Sequence, residues 1–579
     1  MKTFTKGNFG AGGFLWLAGI ALFITQGCDP KKDRQIPVEQ ELGLMADSGM
    51  VVSAHWLASE VGVEILKKGG NAYDAAVAVQ FALAVVYPRA GNIGGGGFAV
   101  YRNADGESGT LDFREKAPLG ASRDMYLDSS GEAVKDLSLK GVLSVGVPGT
   151  VNGMVELHEK LGSMPWQELV EPSIRIAEKG LAISDDQANI LNRSREDFIQ
   201  YNRFSPEVIK TEEWQQGDTI RFSALAKTLT RIASEGNPGF YQGETARLII
   251  EEMEAQNGMV TAEDLQRYRA VWREPVIGNY GDYKILAMPP PSSGGVAIVQ
   301  LFNGLKEFDM DNYPPNSADA IHLFTELERR VYADRAENLG DPDFFKMPMG
   351  ELLDDGRMKV AMESFDADNK TPSSEIKPGQ VEIIESVETT HFSIVDRHGN
   401  AIAVTTTLNG YFGSKVMVRG AGFFLNNEMD DFSKKAGTPN QFGLVGGEAN
   451  AILPEKRMLS SMSPTIVEKD GKVFAVLGSP GGSTIITSVF QTMVNVMVHG
   501  MTMREAVDAP RFHHQWLPDV ILHERDGLDS LIQLQLENKG HSFQQRGLLG
   551  KVNAIKVYGD GKLEGAADSK RGSETAKGY

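Results

Sequence analysis

Thr389-Thr-His-Phe-Ser-Ile-Val-Asp-Arg-His-Gly-Asn-Ala-Ile-Ala-Val-Thr-Thr-Thr-Leu-Asn409 is the stretch on which the fold turns. Thr390 to Val395 and Ala401 to Thr407 are two β-rich runs, and Asp396-Arg-His-Gly-Asn400 lies between them. A five-residue connection containing Gly399 predicts a hairpin. If Val395 pairs with Ala401, the register sets Thr389 opposite Thr407. Directly paired residues have Cβ atoms about 4.5–5.5 Å apart, so the two hydroxyls meet unless a bulge shifts the register by one. A threonine hydroxyl is a weak nucleophile until a base accepts its proton. An α-amine, with a pKa of about 7.7–8.0, fills that role when the threonine begins a chain. Use of Thr389 as a nucleophile therefore requires cleavage of the Glu388–Thr389 bond. The plain alternative is a Thr-Thr pair that merely opens a strand.

Working outward, residues 365–380 (FDADNKTPSSEIKPGQ) are polar and Pro-containing, and predict an exposed, mobile linker open to processing. Downstream, Lys472 to Leu477 reads as a strand, Gly478-Ser-Pro-Gly-Gly-Ser483 as a tight loop, and Thr484 to His499 as a long helix. Upstream, Leu57 to Lys68 predicts a helix stopped by Gly69-Gly70. Asn71 is placed to cap Ala72 to Val86, which is apolar nearly all round and so belongs between layers of a sizeable core. Phe98 to Tyr101 and Leu111 to Phe113 read as strands, and residues 150–350 alternate helical patterns with Pro/Gly turns.

The chain has 579 residues, and its net charge of −19 argues against a nucleic-acid partner, which needs clustered Lys and Arg. Lys2 and Lys6 precede the apolar Phe14 to Ile24, too short to favour a spanning helix and suited to an export signal over residues 1–27. Cys28, the only cysteine, follows Gly27 as in a bacterial lipoprotein cleavage site. Lipidation there is expected, although Thr25 and Gln26 depart from the usual pattern. Without Cys28 no thiol remains for a disulfide or a Cys–metal site. Residues 28–44 then tether a periplasmic, lipid-anchored protein.

The segment Thr389 to Asn409 closely resembles the start of the small subunit of γ-glutamyltranspeptidases. So do Phe424-Leu-Asn-Asn-Glu-Met-Asp-Asp-Phe432, Leu459-Ser-Ser-Met-Ser-Pro464 and Gly478-Ser-Pro-Gly-Gly482. Gly91 to Phe98, Asp112-Phe-Arg-Glu115, Val145 to Gly149, Met288 to Gly295, Arg335 to Pro342, Pro510 to His514 and Gly578-Tyr579 fit the same family. The resemblance implies an α+β fold, a four-layer αββα sandwich of the N-terminal-nucleophile hydrolases. Residues 45–388 and 389–579 would form large and small subunits of one precursor cut before Thr389.

Carried over, the resemblance makes Thr389 the nucleophile and Thr407 its orienting hydroxyl. Arg114, Ser460 and Ser461 would hold the α-carboxylate of a glutamyl group, where a guanidinium fork suits the carboxylate. Asn409, Glu428 and Asp431 would hold its α-ammonium. Gly481 and Gly482 would donate N–H groups to the oxyanion at a helix N-terminus. The implied activity is γ-glutamyl transfer from glutathione and related compounds to water or to an amino acid or peptide amine, with no metal or organic cofactor.

Asn426 to Asp431 lacks the ligand spacing of an EF-hand, and Ser479 to Ser483 lacks the Lys of a phosphate loop. Gly94 to Gly97 is expected to serve close backbone packing. His513 and His514 point to opposite faces if they lie on a strand, which favours a structural role over a metal. Pro439 to Ala449 resembles the lid loop of bacterial members, but Phe442 stands where an aromatic hydroxyl is common. Lid closure would then rest on packing, or on Tyr411 nearby.

Overall fold

The hairpin forms in the expected register. Strands Thr390–Val395 and Ala401–Thr407 pair antiparallel, with Val395 opposite Ala401 and Thr390 opposite Thr406, and no bulge intervenes. The Asp396 carboxylate closes the connection by accepting from the backbone N–H groups of His398 (2.8 Å) and Asn400 (3.0 Å). Gly399 supplies the left-handed step at φ 87°. Side chains then alternate by strand periodicity. Phe392, Ile394, Ile402 and Val404 pack beneath one helical layer, whereas Val395, Ala401 and Ala403 join the other half of the core. Thr389 and Thr407 fall in the second, odd-numbered series, which faces a second sheet.

The computed structural model describes residues 40–377, 389–435, 437–525, 527–568, 570 and 574–579. Its first large sheet runs Thr575–Gly578, Met50–Ser53, Thr390–Val395, Ala401–Thr407, Gly96–Arg102, Ser108–Asp112 and Val271–Arg273. The second runs Leu44–Ala46, Leu563–Ala567, Asn553–Val557, Lys472–Gly478, Thr465–Lys469, Tyr283–Ala287 and Val276–Tyr280. Every pairing in both is antiparallel. Helices Trp56–Lys67, Ala72–Val86 and Ser223–Glu235 contribute to the core on the outer side of the first sheet. Gly294–Leu305, Ala318–Asn338 and Ile485–Met497 contribute to the core of the second. This is the αββα sandwich of an α+β fold. Each sheet mixes strands from before and after Thr389, so a cut at that point would leave both pieces woven into both sheets.

Local chemistry explains the pieces that position the hairpin. Asn71 and Asp74 form a reciprocal capping box, worth about 1 kcal/mol for such a cap, and every residue from Ala72 to Val86 is buried. The Gly94 to Gly97 run lets backbones touch. A Cβ on Gly95 would stand 2.0 Å from the Thr407 carbonyl oxygen, and one on Gly97 2.4 Å from that of Thr405. That contact presses strand Gly96–Arg102 against the end of the hairpin carrying Thr407.

One expectation needs correction. The stretch after residue 365 is not a free linker as far as residue 377. Ser373 is buried, donates to the Trp516 carbonyl (2.6 Å), accepts from Arg329 (2.5 Å), and its N–H reaches Asp519 (3.1 Å). Residues 366–369, 374 and 375 are exposed as expected, but Ser373 is anchored in a buried network, a distinction composition does not carry. Residues 378–380 of that stretch, Glu388, the apolar run Phe14 to Ile24, Cys28 and the tether up to residue 39 lie outside the described residues. Among the described residues no helix is long and apolar enough to cross a membrane.

Candidate active site

The strand register brings Thr389 Oγ1 within 3.4 Å of Thr407 Oγ1, and both residues are buried. Thr407 Oγ1 also accepts from the N–H of Asn409 (2.8 Å). Its carbonyl accepts from Asn92 Nδ2 (2.9 Å). Asn409 sits at φ 76°, a left-handed conformation that asparagine tolerates, and its Nδ2 donates to the Asn427 carbonyl (3.0 Å). The hairpin end is thus tied to the turn Glu428–Asp431. Asn426 fixes the start of that turn: its side chain donates to the carbonyls of Gly94 (2.9 Å) and Gly146 (2.8 Å) and accepts from the N–H of Glu428 (3.1 Å).

Arg114 leaves the end of strand Ser108–Asp112 and is completely buried. Its guanidinium binds Glu428 through Nη1 and Asp431 through Nη2 (2.6 Å), and its Nε donates to the Met458 carbonyl (3.3 Å). Asn440 Nδ2 donates to the second oxygen of Asp431 (2.9 Å). Ser460 and Ser461 lie on a loop sewn to the turn after Ala287. The Ser293 N–H (2.8 Å) and hydroxyl (2.6 Å) both donate to the Ser460 carbonyl, and the Ser460 N–H reaches the Pro291 carbonyl (2.9 Å). Gly481 (φ 145°) and Gly482 (φ 57°) turn the chain into helix Ile485–Met497. A Cβ on Gly482 would lie 2.3 Å from the Phe442 ring, so the phenyl group rests on that glycine.

Every expected catalytic and substrate-binding residue except Gly481 lines one cavity of about 280 Å³, shared with Arg335, Phe442, Leu444, Met462 and Ile485. Gly481 precedes Gly482 in the same turn. Tyr411 is 37% exposed and does not line the cavity, so Phe442 covers it by packing. His513 and His514 take separate protein partners: His513 meets Thr487 (2.9 Å) and Gln515 (2.9 Å), and His514 meets Asp519 (3.3 Å).

Two residues escaped the sequence reading. Arg335, on helix Ala318–Asn338, donates from Nη2 to Ser461 Oγ (3.2 Å) and from Nε to Ser293 Oγ (2.9 Å). Glu115 is fully buried 3.8 Å from Arg114 Nη1, and its carboxylate makes no hydrogen bond among the described residues. Both lie in stretches quoted above, but nothing in the spacing points to the cavity.

Three carboxyl groups therefore share one guanidinium out of water. Burial pushes Glu115 up to about 7 against the pull of Arg114, and raises Glu428 and Asp431 for the same reason. The cavity thus sets acidic groups and a guanidinium beside two serine hydroxyls. An acidic site of this kind loses its anionic form as pH falls through the raised pKa values. We expect KM for a cationic α-amino substrate to rise as pH falls through the raised range of Glu428 and Asp431. Initial rates on a γ-glutamyl anilide from about pH 5.5 to 8.5 test this, and a flat KM contradicts it.

The Gamma-glutamyltranspeptidase family model matches residues 58–578. The chain is 46% identical over 536 residues to the glutathione hydrolase proenzyme of Escherichia coli (strain K12), covering 92% of each chain. It resembles the crystal structure of Helicobacter pylori gamma-glutamyltranspeptidase with a TM-score of 0.55 and 45% identity, over 59% of this chain and 96% of that one. The cephalosporin acylase of Bacillus halodurans superposes with a TM-score of 0.82 at 25% identity, over 96% of this chain and 99% of that one. With a family model spanning nearly the whole fold and a relative at that identity over nine-tenths of its length, the chain belongs to the gamma-glutamyltranspeptidase family.

Proposed function

We propose that this protein is a γ-glutamyltransferase and glutathione hydrolase that activates itself by cleavage before Thr389. The observation that carries this reading is the Thr389–Thr407 hydroxyl pair beside a pocket with both an anion clamp and an acidic pair. In the precursor, Thr389 Oγ1 attacks the carbonyl of Glu388. The peptide C–N bond breaks as the nitrogen takes the proton, which frees the α-amine and leaves an ester on Oγ1; water then hydrolyses the ester and frees the hydroxyl and the Glu388 carboxylate. In the mature enzyme that amine takes the hydroxyl proton as Oγ1 attacks the γ-carbonyl of the donor. Charge on the carbonyl oxygen is met by the N–H groups of Gly481 and Gly482, donors of a type worth about 10²–10³ in rate each. The amide C–N bond then breaks, the leaving nitrogen takes the proton, and a γ-glutamyl ester remains on Thr389. Water or an amine attacks this ester, its proton passes to the α-amine, and Thr389 is regenerated.

Arg114, Ser460 and Ser461 are assigned to the donor's α-carboxylate, and Asn409, Glu428 and Asp431 to its α-ammonium. The ammonium subsite separates this reading from a glutaryl-type acylase on the same fold. A glutaryl group has no α-ammonium, and burying Glu428 and Asp431 against it would be costly. Export and lipid attachment at Cys28 complete the proposal and rest on the leader sequence.

Release of nitroaniline from L-γ-glutamyl-p-nitroanilide, with none from the glutaryl analogue, is the expected result. Intact-mass analysis should give a fragment of residues 389–579 and a lipid-bearing fragment beginning at Cys28. A single uncut chain that turns over the anilide would refute the mechanism, and an unmodified Cys28 the anchoring.

A further inference from the structure

Helix Ala318–Asn338 packs against the Gly481–Gly482 turn and also carries Arg335 into the cavity. Tyr332 on this helix is buried, and its hydroxyl donates to the Ser483 carbonyl at 2.5 Å. That carbonyl shares its peptide unit with the N–H of Thr484, which donates to the Gly481 carbonyl (3.1 Å). The Gly481 carbonyl in turn shares its peptide unit with the N–H of Gly482. The atoms thus form one directed chain: Tyr332 O–H to Ser483 C=O, Thr484 N–H to Gly481 C=O, ending on Gly482 N–H. Thr484 Oγ1 adds a second donor to the Gly481 carbonyl (2.9 Å).

Hydrogen bonds in series polarise one another, by perhaps 10–30% per bond, and a carbonyl held by two donors fixes the plane of its peptide. Fixation matters at this turn because Gly481 and Gly482 both occupy positive φ, where glycine has freedom to leave. The Tyr332 ring stands edge-on to His513 at 5.5 Å, which sets the direction of the hydroxyl.

We propose that Tyr332 is a positioning residue for the oxyanion site, acting through two peptide units to aim and polarise the Gly482 N–H. The inference rests on the function proposed above. Burial and the nearby Glu328 raise the phenol well above its ordinary pKa, so it remains a donor at any working pH. Arg335, about one helical turn further on, holds Ser461 by the same logic. A single helix from the chain before Thr389 therefore steadies both the oxyanion turn and a carboxylate-binding serine.

The test is Tyr332→Phe, which removes the hydroxyl and keeps the ring, with Thr484→Val as a second variant of the same chain. Rates are taken per titrated Thr389, so slow maturation does not count as lost catalysis. For Tyr332→Phe, kcat on the γ-glutamyl anilide should fall about 5- to 30-fold with KM within about twofold. A boronic-acid analogue that forms a tetrahedral adduct on Thr389 should weaken by the same factor, while a planar product such as glutamate should not. Thr484→Val should lower kcat less, and its effect should shrink in the Tyr332→Phe background. If Tyr332→Phe yields no mature protein, Thr484→Val decides: a lower kcat at constant KM supports the relay, and an unchanged kcat overturns it. An active wild type with unchanged kcat in Tyr332→Phe overturns this inference alone. So does a fall in kcat accompanied by equal losses in glutamate binding and Tm. A wild type that releases no nitroaniline overturns the function, and the relay with it.

Discussion

Thr389→Ala is expected to leave one uncut chain with no measurable turnover. Both consequences come from one atom. The methyl side chain offers no nucleophile to the carbonyl of Glu388, so the α-amine that should later act as base is never released. Nothing else in the cavity replaces it: Thr407 Oγ1 lies 3.4 Å from Thr389 Oγ1, but Thr407 is an interior residue without an α-amine. Loss of a catalytic nucleophile typically costs about 10⁴–10⁶ in kcat, which leaves only what binding and the oxyanion donors provide. Thr389→Ser keeps the hydroxyl and should process more slowly but remain active. Gel analysis of the purified protein and the anilide assay read both effects. Two bands from Thr389→Ala would remove Thr389 from the processing step, and turnover by that protein would remove it from catalysis.

Arg114→Lys should raise the KM for the glutamyl donor about 10- to 100-fold while the protein still folds and matures. The guanidinium binds Glu428 and Asp431 through separate nitrogens and reaches the Met458 carbonyl with a third. An ammonium is a single point donor and cannot hold this planar arrangement together with an incoming carboxylate. A charge-assisted bidentate contact is worth about 1.5–3 kcal/mol, which sets the size of the effect. Arg114→Leu should behave differently. It leaves three buried carboxyl groups without their cation, a loss of about 3–5 kcal/mol unless protons neutralise them. Because burial already raises Glu115, Glu428 and Asp431, protons should be taken up, and the apparent Tm of this variant should recover as pH falls. The sign follows from linkage: a group whose folded pKa is raised contributes stability that is fully present below its unfolded pKa and is lost as pH rises through the folded pKa. Steady-state kinetics and thermal melts at two pH values separate the variants. A KM unchanged in Arg114→Lys would take Arg114 out of substrate binding.

The difference between the two variants also shows why this site resists assignment from spacing. Arg114 and Glu428 are 314 positions apart, and Asp431 is 317 from Arg114. Sequence alone allows Arg114 to be a surface ion pair and Glu428 and Asp431 to be part of a polar turn, and only the family resemblance puts them together. Arg335 and Glu115 were left without a role because no local pattern marks an arginine that holds a serine hydroxyl, or a carboxyl group buried beside an ion pair. Ser373 failed in the opposite direction. Its polar neighbours suggested exposure, yet Trp516 and Asp519 bury it.

What the sequence by itself determined was local. The two β-rich runs, Gly399 between them and the Asp396 cap set the hairpin register, and with it the meeting of Thr389 and Thr407. Asn71 and the apolar run behind it set a buried helix, and the glycines at 94–97 set a close backbone approach. Such features depend on turn chemistry and periodicity within some twenty residues, which the chain order specifies directly. The tertiary structure alone decided which distant groups share a low-dielectric space. It brought one arginine among three acids, Arg335 onto Ser461, and Tyr332 onto the carbonyl behind the Gly481–Gly482 turn. Apart from the neighbours Arg114 and Glu115, those contacts join segments more than a hundred residues apart, and they exist because two sheets and two helical layers must close around one core before any of these side chains leaves water.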